Sequence, residues 1–134
     1  MIGGVAVGAH GYVRGTEDLD LVPDPDPANL DRLAESLAEL GSTLPTVGRA
    51  FDPSTDVNVI RRGGNVTADT VFGGLDIVQR AIGVPSYSDL ALDAVESELL
   101  GNPVRICSLT QLREMNEAAG REQDRADLAN LPDA

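Results

Sequence analysis

Apolar positions along the chain change their period several times, and each change marks an element. Asp18-Leu19-Asp20-Leu21-Val22 alternates acidic and apolar residues, the period of a half-buried strand that turns two carboxylates to one side. Leu30, Leu33, Leu37 and Leu40 then recur at helical spacing. Asp26 is placed to cap that helix and Pro27 to take its first position, after the rigid run Pro23-Asp24-Pro25-Asp26-Pro27, and Gly41 stops it. Val57-Asn58-Val59-Ile60-Arg61 reads as a strand. The turn residues Arg62-Gly63-Gly64-Asn65 join it to further strand between Val66 and Val78, so a sheet of at least three strands is expected.

The second half continues the pattern. Ser97 to Leu100 and Val104 to Cys107, separated by Gly101-Asn102-Pro103, read as a hairpin, with a helix through Glu98 as the alternative. Ser108 and Gln111 form a capping-box pair that opens a helix carrying Leu109, Leu112 and Met115 and ending at Gly120. A last helix from about Glu122 to Leu131 would turn Ala126 and Leu128 inward. The class is α+β: a mixed sheet flanked by helices, with a helical C-terminal tail.

Length and composition narrow the function classes. At 134 residues the chain is expected to form one domain, 1–134, and no repeat or low-complexity tract divides it. The net charge is −12 and all ten basic residues are arginine, so the surface repels duplex DNA and anionic membranes. Met1-Ile2-Gly3-Gly4-Val5-Ala6-Val7 lacks a basic n-region and the length of a signal-peptide core, which makes a cytoplasmic location the expectation. Cys107, the single cysteine, reads as a buried structural thiol on a strand.

The strongest chemical pattern lies in the first 21 residues. Gly3-Gly4 would let backbone amides approach a phosphate closely, with a helix from Val5 to about Ala9 directing its positive end at it. Asp18 and Asp20, some ~6.5 Å apart along one strand face, are within reach of shared divalent ions, and Mg2+ with a nucleoside triphosphate needs such hard oxygen ligands.

Ile2-Gly3-Gly4 followed by Asp18-Leu19-Asp20 resembles the minimal nucleotidyltransferases of the DNA polymerase beta superfamily. The run Arg14-Gly15-Thr16-Glu17-Asp18-Leu19-Asp20-Leu21 is similar to the Arg-x-Thr-x-Asp-x-Asp signature of a bacterial and archaeal subgroup that includes antitoxin-like members, and the run from Leu112 to Leu128 resembles that subgroup's tail. The resemblance implies a polymerase-beta-type domain that uses Mg2+ to transfer a nucleoside monophosphate from a nucleoside triphosphate to a hydroxyl of a protein, RNA or small molecule. It also implies a third acid on a neighbouring strand, for which Asp76 in Leu75-Asp76-Ile77 is the choice over Asp56 and Asp69, both expected to be solvated strand-edge residues. Asp18, Asp20 and Asp76 would then be the catalytic and metal-holding residues, with Gly3, Gly4, Arg14 and Thr16 on the phosphates. The alternative is a catalytically weak nucleotide- or partner-binding module of a toxin–antitoxin pair.

Two departures bear on this. Family members commonly carry Met-Lys where this chain has Met115-Asn116, and they have a helix and a full strand before the glycine pair, which Met1-Ile2 does not supply. Either the chain starts further upstream or the domain lacks its first strand, and in the second case an open sheet edge would favour a homodimer. Of the other polar residues, His10 reads as structural or positioning, Arg61-Arg62 as a solvated hairpin tip able to grip an acceptor, and Arg121, Asp124 and Asp127 as a surface ion-pair set.

Overall fold

The computed structural model describes residues 1–12, 15, 18–99 and 101–133. Its contacts group the chain into two compact units, Glu17–Arg80 and Met1–Thr16 with Ala81–Ala134. The expected mixed sheet, flanking helices and helical C-terminal region are present. Among the described residues no helix is long and apolar enough to cross a membrane.

In the unit Glu17–Arg80, β1 (Asp18–Leu21) leads to α2 (Pro27–Glu39), which starts as its residues dictate: the Asp26 carboxylate accepts from the Ala28 N–H at 3.1 Å and Pro27 occupies the first turn. The short strands β2 (Thr43–Leu44) and β3 (Arg49–Ala50) precede α3 (Pro53–Arg61), and the hairpin β4 (Val66–Thr70) and β5 (Gly73–Ile77) completes the unit. The sheet order is β1-β5-β4-β2-β3, with β1 parallel to β5 and the other pairs antiparallel. Its core is built from one face of the sheet and the inward faces of two helices: Val66, Ala68, Leu75 and Ile77 meet Leu30, Ala34 and Leu37 of α2 and Val57 and Ile60 of α3.

The segment from Val57 to Arg61 is therefore helical, not the strand its alternation predicts. A five-residue segment with three β-branched residues satisfies both periods, and the residues upstream decide between them. Asp52 accepts from the Ser54 N–H at 3.0 Å and Ser54 Oγ at 2.7 Å, and Pro53 opens the helix. Val57 and Ile60, three apart, are buried, while Val59 is 38% exposed. Arg62-Gly63-Gly64-Asn65 is still a turn, but it joins a helix to β4 and not two strands. Gly64 is obligatory there, because a Cβ would lie 2.7 Å from Val59 Cγ1 and 2.9 Å from the Val59 carbonyl oxygen.

The other unit contains α1 (Gly3–Ala9), α4 (Tyr87–Asp93), the hairpin β6 (Val95–Leu99) and β7 (Asn102–Ile106), α5 (Leu109–Ala119) and α6 (Glu122–Asn130). The Cys107 N–H donates to the Met1 carbonyl at 3.0 Å, which ties the chain start to the end of β7. α5 opens on Ser108, whose Oγ accepts from the Gln111 N–H, and closes on Gly120 at φ 62°. In α6 the inward residues are not Ala126 and Leu128, which are half-buried, but Asp124 and Asp127, only 4% and 1% exposed. The burial is compensated by hydrogen bonds. Asp124 accepts from the Arg121 N–H at 3.0 Å and its Nε at 2.7 Å, and Asp127 accepts from Gln123 Nε2 at 3.0 Å.

The helical assignment of α3 has a direct consequence for stability. Ile60→Ala should cost about 2–5 kcal/mol, whereas Val59→Ala should cost about 1 kcal/mol or less. Urea denaturation of both variants checks this, and equal losses at the two positions would contradict the helix.

Candidate functional site

The candidate site follows from the packing of the sheet in the unit Glu17–Arg80. Leu19 and Leu21 of β1, Leu75 and Ile77 of β5, and Val66 and Ala68 of β4 all pack on the core side. Alternation then sends the intervening residues of each strand to the opposite face. Asp20 lies beside Asp76, and Asp76 beside Thr67, so these three form one row across β1, β5 and β4. The next row is Asp18, Gly74 and Asp69. Asp18, Asp20 and Asp76 thus share one face of two adjacent strands spaced about 4.8 Å apart.

Asp20 and Asp76 are half-buried and Asp18 is exposed. As hard oxygen donors the three acids suit Mg2+. Among the described residues, however, no three His, Cys, Asp or Glu side chains are drawn together into a group able to hold a metal ion. The donor chemistry of the three acids fits such an ion.

Asp69, the weaker candidate for the third acid, lies on this same face and is exposed. Asp56 does not lie on a strand edge and is not solvated. It sits in the first turn of α3, 8% exposed, where Arg49 grips it with two hydrogen bonds of 2.7 Å and the Asp52 N–H adds a third at 2.7 Å. The Arg49 guanidinium holds the Asp56 carboxyl below the usual carboxylate range, against the opposing effect of burial. Its expected exposure fails because the segment after Asp52 is the helix α3 and not a strand. Asp56 also lines a cleft of about 280 Å³ with Leu44, Val47, Phe51 and Val59, a feature that no pattern along the chain announces. The only advance signal was Asp52-Pro53, which marks a helix start four residues before Asp56.

Gly3 and Gly4 belong to the other unit, where they are the first residues of α1 and not a turn ahead of a helix beginning at Val5. Gly3 has φ 69°, a conformation that residues with a Cβ rarely adopt. Arg14 and Thr16 lie outside the described residues. His10 Nε2 is 2.8 Å from the Cys107 carbonyl oxygen. Cys107 is buried and its thiol is pushed up to about 11 by burial, so it stays protonated at neutral pH. Asn116 is 7% exposed, and its Nδ2 has no hydrogen-bond partner among the described residues.

Arg61 and Arg62 end α3 and do not form a hairpin tip. Arg61 pairs with Asp31 of α2 at 2.8 Å, and Arg62 Nε donates to the Asn58 carbonyl at 3.1 Å. Arg121 and Asp124 are an ion pair at 2.7 Å, but the carboxylate is buried and not part of a surface set. No protein-family model matches the chain, and no curated protein matches it either.

The Arg49–Asp56 contact predicts a pH dependence of stability. A carboxyl held below its unfolded value stabilises the fold above the ordinary carboxylate range, and the contribution is lost as pH falls through the folded value. Wild-type stability should therefore drop on acidification below about pH 4. Asp56→Asn should be less stable at neutral pH and show a flatter acid limb, as measured by thermal unfolding across pH.

Proposed function

We propose that the chain is a Mg2+-dependent nucleotidyltransferase of the polymerase-beta type, moving a nucleoside monophosphate from a nucleoside triphosphate to a hydroxyl acceptor. The observation that carries this reading is the strand register, which sets Asp76 beside Asp20 and on the face that Asp18 shares. Two acids on one strand and a third on its parallel neighbour form the donor pattern that the sequence resemblance requires. Gly3, Gly4, Arg14 and Thr16 enter on the resemblance alone.

In this reading Asp18, Asp20 and Asp76 would hold the metal, which when bound neutralises charge on the phosphates as it develops. Asp76 would accept the proton of the attacking hydroxyl or serve as a further metal ligand. The acceptor oxygen forms its bond to the α-phosphorus, the bond to the β-phosphate bridging oxygen breaks, and pyrophosphate leaves. The acceptor is a protein, an RNA or a small molecule. An overall charge of −12 makes a long polyanionic track on this chain unfavourable.

A second reading, a nucleotide- or partner-binding module of a toxin–antitoxin pair, is favoured by Asn116. Where the family it resembles carries a lysine, this chain buries a neutral amide.

The test is label transfer from each α-labelled nucleoside triphosphate, with Mg2+, into RNA and protein of a cell lysate. Wild type should transfer label, and Asp20→Asn should lose at least about a hundredfold in rate. If wild type binds the Mg2+–nucleotide but transfers nothing, the binding module replaces the enzyme. If it does neither, both readings fail.

A further inference from the structure

The turn between β4 and β5 breaks the usual chemistry of two-residue hairpin loops. Such loops favour Gly, Asn and Asp, yet Val71 and Phe72 fill this one. They stand 86% and 84% exposed, the most exposed large apolar residues described in the unit Glu17–Arg80. The turn is also firmly built. Thr70 Oγ1 donates to the Gly73 carbonyl at 2.9 Å and accepts from the Phe72 N–H at 3.0 Å, while Gly73 takes φ 122°. The two apolar side chains are thus held in water by a turn that has no conformational need of them, and a local rule broken without structural gain points to function.

The register says what lies next to this tip. From the row of Asp20 and Asp76, the strands pass through the row of Asp18, Gly74 and Asp69 to the closing pair Thr70 and Gly73. Asp76 to Gly73 spans about 10 Å along β5, comparable to the reach of a ribose with its phosphates. A nucleoside triphosphate with its phosphates at the acids therefore has its base within range of the tip. The base is the flat, weakly hydrated end of that molecule, and aromatic side chains bind any base by stacking.

We propose that Phe72 is the stacking platform for the base of the nucleotide bound at Asp18, Asp20 and Asp76, with Val71 extending the apolar contact. This rests on the nucleotidyltransferase reading and adds the part of the site that grips the nucleoside. Stacking tolerates every base but favours the larger purines, so the tip would give a graded preference and not a strict choice.

The experiment separates the base from the phosphates. Calorimetry on wild type and Phe72→Ala would use the four nucleoside triphosphates and inorganic tripolyphosphate, each with Mg2+. The expected result is about a tenfold weaker affinity of Phe72→Ala for nucleoside triphosphates, larger for purines, with tripolyphosphate affinity unchanged. Because the chain has no tryptophan, Phe72→Trp places the sole indole at the tip. Its fluorescence should respond to ATP and not to tripolyphosphate. Equal nucleotide affinity of wild type and Phe72→Ala overturns the proposal while leaving the nucleotidyltransferase reading standing. So does a matching loss of both ligands in Phe72→Ala, or a wild-type dimer that Phe72→Ala dissolves without change in nucleotide affinity. If wild type binds neither nucleotide nor tripolyphosphate, both fall together.

Discussion

Burial of one face of the sheet against α2 and α3 is the constraint on which the candidate site depends. Leu19, Leu21, Leu75 and Ile77 are committed to the core, and the strand period leaves their neighbours no choice of side. A slip of one residue between β1 and β5 would oppose Asp20 to a core residue and bury a carboxylate among leucines. Hydrophobic packing thereby holds the register that sets Asp20 beside Asp76. The acids are positioned by the leucines between them, and no direct bond among the carboxylates is needed to align them.

Elements whose start and stop are chemically marked were legible in the chain. Asp26 and Pro27 open α2, and Ser108 and Gly120 bound α5, as local capping rules require. Leu30 and Leu37 of α2 entered the core as their period required, with Leu33 half-buried beside them, but Leu40 caps the helix and is 37% exposed. α3 was not legible from its own residues, because a short β-branched segment fits two periods and its cap lies outside it. Polarity misled in α6, where Asp124 and Asp127 go inside: a hydropathy pattern cannot register that neighbours on the same helix supply the compensating donors.

The candidate site divides along the same line. Asp18 and Asp20 were legible as one strand's face, since that is a local property. Their pairing with Asp76 is a contact between strands far apart in sequence, and it entered only through resemblance to a known pattern until the register was in hand. The Arg49–Asp56 pair was missed because it depends on β3 and α3 folding back against each other, and neither was anticipated. Val71 and Phe72 gave no periodic signal, and their meaning comes from where the hairpin ends relative to the acids.

Strand β1 is the outermost member of its sheet, and it is also the strand that carries Asp18 and Asp20. An outer strand offers unpaired backbone groups to any other extended chain, and charged side chains are a common natural defence against such association. On such an edge Asp18 and Asp20 are charges of the kind that disfavour association. Neutralising both at once would remove that guard from a four-residue strand of otherwise apolar composition, leaving Asp-to-Asn changes made one at a time as the cleaner probe of chemistry.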